Sequence, residues 1–166
     1  MRHLKVLFTC IAIVALAAQA QAAAALRGKC MAVADGDTIT ILVNQRTIKI
    51  RLEGIDCPER QQAFGANATQ FTRQWTLGRI LVVYVTGTDK YQRTLGWVFY
   101  GKRCLNNDLV YNGIAWWYRQ YAPNNTKLRS LEAYARSKRR GLWKSPNPIP
   151  PWIWRHQRRK RFVEKL

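Results

Sequence analysis

Apolar and polar residues alternate from Thr38 to Val43, which aligns Ile39, Ile41 and Val43, and again over residues 47–52, which aligns Ile48, Ile50 and Leu52. Asn44-Gln-Arg46 between the runs reads as a turn, so the segment is a hairpin with one apolar side. Arg51 falls on its other face, with Lys49 and Glu53. Residues 32–35 close a preceding strand. Phe64, Ala68, Phe71 and Trp75 then recur at helical spacing, with Gly78 as a stop. Residues 80–85 are continuously apolar, the pattern of a strand buried on both faces, and Thr94–Tyr100 is a further strand. Leu105–Tyr111, ending at Asn112-Gly113, fits a short helix. Thr126 is expected to cap a helix carrying Leu128, Leu131 and Ala135, with Arg136 to Arg140 in its last turn and Gly141 as its C-cap. Beyond Trp143, Pro146, Pro148, Pro150 and Pro151 argue against regular structure and for extended polyproline geometry, with Trp152 and Trp154 tying the segment back. From Arg155 a strongly basic tail is expected to be solvated. Five short strands with a helix after the third, then more helices and no repeat, predict an α+β fold. The strands form a small closed barrel rather than a parallel sheet.

The N-terminus changes how much of the chain belongs to that fold. A short basic start, an apolar run from Val6 to Ala18, and small-residue sites at Ala18-Gln-Ala20 and Ala20-Gln-Ala22 form the pattern of a secretory signal. The run is too short and alanine-diluted for a spanning helix, and Cys10 sits too early for a lipidation site. Residues 1–22 are therefore read as a signal peptide, 27–143 as one domain, and 144–166 as a Pro/Trp-rich and then basic tail. The expectation is an exported protein, periplasmic or secreted, with no stable membrane anchor, no obligate protein partner and a monomeric state.

Charge narrows the partners. With 28 Lys plus Arg against 9 Asp plus Glu, the net charge is +19, and neutralising phosphates with release of their counter-ions is the leading reason for such a surface. Three cysteines follow the leader. Cys30, Cys57 and Cys104 are spaced too widely for a zinc or redox motif; one pair could form a disulfide, with Cys30–Cys104 the first choice. His3 lies in the leader and His156 in the tail, so a histidine-based nuclease mechanism does not fit.

Acidic residues are scarce, yet Asp35, Asp37, Glu53, Asp56 and Glu59 lie close together. Asp35-Gly-Asp-Thr38 ends one strand in a turn, Asp56-Cys-Pro-Glu59 follows another, and the hairpin between them brings the two junctions together. Clustered carboxylates need arginines or a hard, oxygen-ligated cation among them. Taken singly, each piece is an ordinary turn, loop or strand residue. In this order, with Asp89-Lys-Tyr-Gln-Arg93 downstream, the set is far more specific.

Those motifs, with Arg51-Leu-Glu-Gly-Ile-Asp-Cys-Pro-Glu59, residues 107–115 and Tyr121-Ala-Pro-Asn-Asn-Thr126, resemble the staphylococcal nuclease-like, or thermonuclease, family over residues 29–143. The resemblance implies an OB-fold barrel of five strands with flanking helices. It also implies calcium-dependent hydrolysis of DNA and RNA to products ending in a 3′-phosphate. By resemblance, Asp37 and Asp56 are metal carboxylates, Cys57 offers its main-chain carbonyl, and Asp35 acts behind them. Glu59 matches the general base, Arg51 and Arg93 the phosphate-binding arginines, and Lys90, Tyr91 and Tyr121 residues around the nucleotide. A charged guanidinium is a poor proton donor, so Arg93 is expected to stabilise charge rather than act as a general acid. Three positions depart from the pattern: Cys57 stands for a small residue or threonine, Gln92 for a glycine, and Arg119 for an aromatic residue. The alternative is a non-catalytic OB domain that stacks bases on Trp116, Trp117 and Tyr121. Carboxylates that repel phosphate argue against it.

Overall fold

The alternating runs become the walls of a closed barrel in the computed structural model, which describes residues 25–163. The signal read at residues 1–22 lies outside the described residues. The elements are β1 (Ala25–Asp35), β2 (Thr38–Val43), β3 (Arg46–Leu52), β4 (Ile55–Asp56), α1 (Gly65–Thr76), β5 (Ile80–Thr88), β6 (Thr94–Tyr100), β7 (Arg103–Cys104), α2 (Leu105–Tyr111), β8 (Trp116–Trp117), α3 (Thr126–Ser137) and α4 (Pro151–Val163). β1 pairs with β5 through its first half and with β2 through its second, and register shifts at residues 30–32 and 33–35 bend it between them. β2 pairs with β3, β5 with β6, and a parallel contact between β3 and β6 closes the five-stranded ring. This is the α+β, OB-like architecture the sequence predicts.

Ile39, Ile41, Ile50, Leu52, Leu81, Val83 and Val98 fill the barrel and are essentially inaccessible to water. The unbroken apolar run of β5 does not mean burial on both faces. Leu81 and Val83 point in, while Ile80 and Tyr84 are exposed, because a barrel wall has only one inside. The hairpin turn is Asn44-Gln45, both at positive φ, as a two-residue connection with right-handed twist requires.

α1 closes one end of the barrel through Ala68, Thr72 and Trp75. The Thr72 hydroxyl donates to the Gly36 carbonyl at 2.6 Å, fixing the turn between β1 and β2. Gly36 must be glycine, since a Cβ there would come within 2.7 Å of both Ala68 Cβ and Cys57 Cβ. Asn106 on α2 is wholly buried; it accepts from the Val98 N–H and donates to the carbonyls of Glu53 and Gly96, which fixes the segment leading into β4.

Three expectations are corrected. The N-cap of α3 is Asn125, whose carboxamide oxygen accepts from the Leu128 N–H at 2.9 Å, not Thr126. The helix ends at Ser137, and Gly141 opens a separate 3-10 turn, Gly141–Lys144. Cys30, Cys57 and Cys104 are all free and buried, so the Cys30–Cys104 bridge is not made.

The tail is the largest correction. The prolines end where Pro151 occupies the first turn of α4, the one helical position where a missing N–H costs nothing. Pro151 is buried, Trp152 stacks face to face on Tyr118 at 5.2 Å and meets the Trp116 edge at 5.7 Å, and the Gln62 amide donates to the Ile149 carbonyl at 2.6 Å. Trp152 thereby holds the segment to the domain, and the basic sequence after it is helical.

Candidate active site

Three chain segments meet at the rim of the barrel. The end of β1 carries Asp35, and the turn after it carries Asp37. β3 continues through Glu53-Gly54 into β4, whose Asp56 is fixed by pairing with Trp116 of β8. The Leu52 N–H donates to the Asp37 carbonyl at 2.9 Å, and Asp37 Oδ2 accepts from the Cys57 N–H at 2.7 Å, so the two acidic turns are sewn together. Asp35 Oδ1 accepts from the Asp37 N–H at 3.1 Å and orders the first of them. Gly65 begins α1 against the Glu59 carbonyl, where any Cβ would collide.

Arg51 projects from the hairpin face opposite the core. One of its guanidinium nitrogens lies 3.2 Å from Asp37 Oδ2 and 2.9 Å from Asp56 Oδ1, while the other donates to the Leu52 carbonyl. A second guanidinium arrives from α4. Arg155 forks onto Asp56, at 3.2 Å to Oδ1 and 2.8 Å to Oδ2, and reaches Glu59 Oε1 at 2.8 Å. By sequence Arg155 belongs to the basic tail, with nothing to place it at this acidic rim. The signal for its helix was present in Pro151 as the first of thirteen helix-compatible positions, a helix start rather than a breaker.

Arg93 is held differently. Asp89 Oδ1 accepts from the N–H groups of Tyr91 and Arg93, and Oδ2 takes the Arg93 Nε at 2.7 Å. These bonds outweigh a slight burial and hold the Asp89 carboxyl below its usual range. Gln92 sits at φ 61°, the left-handed conformation that glycine adopts most readily. Arg93, Lys90, Tyr91 and Tyr121 line one cleft of about 680 Å³ together with Asp37, Arg51, Asp56, Cys57 and Glu59, and Asp35 lies at its edge. Tyr91 and Tyr121 are exposed and open to stacking. Trp116 and Trp117 are core, and Arg119 lies over Trp117 and pairs with Glu132, away from the cleft.

Burial sets the electrostatics. It pushes the Asp37 carboxyl up to about 8, opposed by Arg51 and reinforced by Asp35 and Asp56. It also raises Asp56, against Arg155 and Arg51. Burial alone would pull Arg51 down, but Asp37 and Asp56 hold it above its ordinary value; Arg155 is likewise raised by Asp56 and Glu59. The carboxyls rise chiefly because they are buried, whereas the guanidiniums rise because carboxylates surround them. The Cys57 thiol is driven well above its usual range, first by burial, so without a metal it stays neutral.

With no histidine lining the cleft, the donors are carboxylate and carbonyl oxygens, the set a hard cation takes. Among the described residues no three Asp, Glu, His or Cys side chains converge as a ready-made ligand cage. Asp37 and Asp56 therefore fit as two ligands, to be completed by main chain or water.

Residues 49–145 match the family of staphylococcal nuclease homologues. The chain is 40% identical over 154 residues to the micrococcal nuclease of Shigella flexneri, covering 87% of this chain and 88% of that protein. It is 37% identical over 163 residues to Protein ParB of Escherichia coli, covering 92% of each. Against an uncharacterized endonuclease of Escherichia coli O157:H7 it is 37% identical over 134 residues, covering 80% of this chain and 87% of the other. On the barrel, the acidic rim and these matches, the chain belongs to the staphylococcal nuclease family and is a nuclease.

Proposed function

We propose that this metal-dependent nuclease is an exported enzyme that uses calcium and hydrolyses phosphodiester bonds of DNA, RNA or both, with Glu59 as the general base. The observation that carries the reading is the convergence of Asp37, Asp56, Glu59, Arg51 and Arg93 on one cleft from three parts of the chain. Calcium held by Asp37, Asp56 and the Cys57 carbonyl would polarise a phosphoryl oxygen as a Lewis acid. Glu59, half exposed at the mouth, takes the proton of an attacking water once Arg155 yields its oxygen. Arg51 and Arg93 hold the phosphate by forked bonds that strengthen as charge builds on its oxygens. Export is supported by the basic, apolar and small-residue order of residues 1–22, and the mass of the mature N-terminus tests it.

The assay is cleavage of single- and double-stranded DNA and of RNA, with calcium and with chelator. Cleavage is expected in calcium and lost in chelator. Arg93→Ala should lower kcat by about 10²–10³-fold while the unfolding midpoint moves little, because its ion pair with Asp89 is near the surface. Full activity in chelator would refute the metal role, and unimpaired Arg93→Ala would refute the phosphate role.

A further inference from the structure

A second hollow, of about 240 Å³, adjoins the cleft and is lined by Glu59, Trp154, Arg155, Arg158 and Arg159. The two hollows share Glu59, Arg155 and Arg159 in their walls. Positions 155, 158 and 159 follow i, i+3, i+4 spacing, which puts three guanidiniums on one face of α4. Arg155 is engaged with Asp56 and Glu59. Among the described residues no carboxylate pairs with Arg158 or Arg159, and both are exposed. The helix is not free to drift, since Pro151, Trp152 and the Gln62–Ile149 bond seat its first turn.

We infer that this face of α4 is a second phosphate-binding site, which holds the backbone of the nucleic-acid strand beyond the bond being cut. The inference rests on the nuclease reading of the cleft. A strand leaving the cleft past Glu59 would otherwise face that carboxylate. Arg158 and Arg159 give its next phosphates two cations that no described carboxylate engages, on a helix already fixed in place, so little ordering is lost on binding. Arg155 stands between the sites and exchanges Glu59 for a phosphate oxygen as the strand enters.

The test is the binding of a labelled single-stranded DNA of about a dozen nucleotides, in chelator, as salt rises from about 50 to about 200 mM. Each phosphate contact contributes about 0.7 to the slope of log affinity against log salt for a single strand, so the double variant Arg158→Ala/Arg159→Ala should lower that slope by about 1.4. It should then lose about sevenfold less affinity than the unaltered protein across that range. The control is Arg73→Ala/Lys138→Ala, two exposed cations that line neither hollow, and it should leave the slope nearly unchanged. A dinucleotide, whose single phosphodiester cannot occupy both sites, should bind the unaltered protein and Arg158→Ala alike, because Arg158 lines the second hollow and not the cleft. Equal slope changes in the two variants, or none in the α4 variant, overturn the inference. So does an equal loss of affinity for dinucleotide and long strand in Arg158→Ala. If the unaltered chain binds and cuts while the α4 variant behaves as the control, only the second site fails; if the unaltered chain neither binds nor cuts, the reading of the cleft fails.

Discussion

Glu59→Gln should lower kcat by about 10²–10⁴-fold at saturating substrate in calcium, the range by which a positioned proton acceptor accelerates such reactions. Glutamine has the same length and still offers Arg155 an oxygen, so α4 keeps its contact at that point. What it cannot do is take a proton. The folding free energy should shift by no more than about 1 kcal/mol, because the Glu59–Arg155 pair has both partners 39% exposed and is screened by solvent. Kinetics and urea unfolding on one preparation separate the two effects. Glu59→Asp keeps the base but draws it back by one methylene, and should fall between the two. Unimpaired turnover in Glu59→Gln would mean that water is activated elsewhere.

Arg51→Ala is expected to damage both folding and catalysis. Its side chain is 11% exposed and bridges Asp37 and Asp56, which are 9% and 2% exposed. Its loss leaves the buried Asp37 without a paired cation and Asp56 with Arg155 alone, at a cost of about 3–5 kcal/mol. Turnover in the folded fraction should fall by at least about 10²-fold, because a preorganised donor to the phosphate is gone. Adding Asp37→Asn should restore part of the stability and none of the activity. Arg51→Lys keeps the charge but cannot fork, so it should fold better than alanine and still turn over poorly. If Arg51→Ala unfolds at the normal urea concentration in chelator, the bridge is not what neutralises this rim.

Short-range patterns carried most of the fold. The β2–β3 hairpin and α2 follow from alternation and spacing read within a few residues of themselves. β5 was legible as a strand but not in its exposure, because a run of apolar residues cannot say whether its second face meets core or water. Asn125 and Thr126 are both good caps, and only backbone geometry decides between them. At the site, Asp37, Arg51, Asp56 and Glu59 were legible because they lie within one hairpin and the segments that flank it. Arg155 was not: it lies 99 residues from Asp56 and 96 from Glu59, beyond prolines that read as breakers until one proves to be a helix start.

That separation also bears on the order of folding. The hairpin closes across a two-residue turn, whereas Arg155 must wait for the whole barrel and for β8 to place the Trp116 and Tyr118 rings that receive Trp152. Contacts between residues far apart in sequence form late, because the entropy of closing the loop is lost before anything is gained. A refolding chain is therefore expected to pass through a stage with a finished barrel and an unfinished acidic rim, so that regain of cutting trails regain of barrel structure.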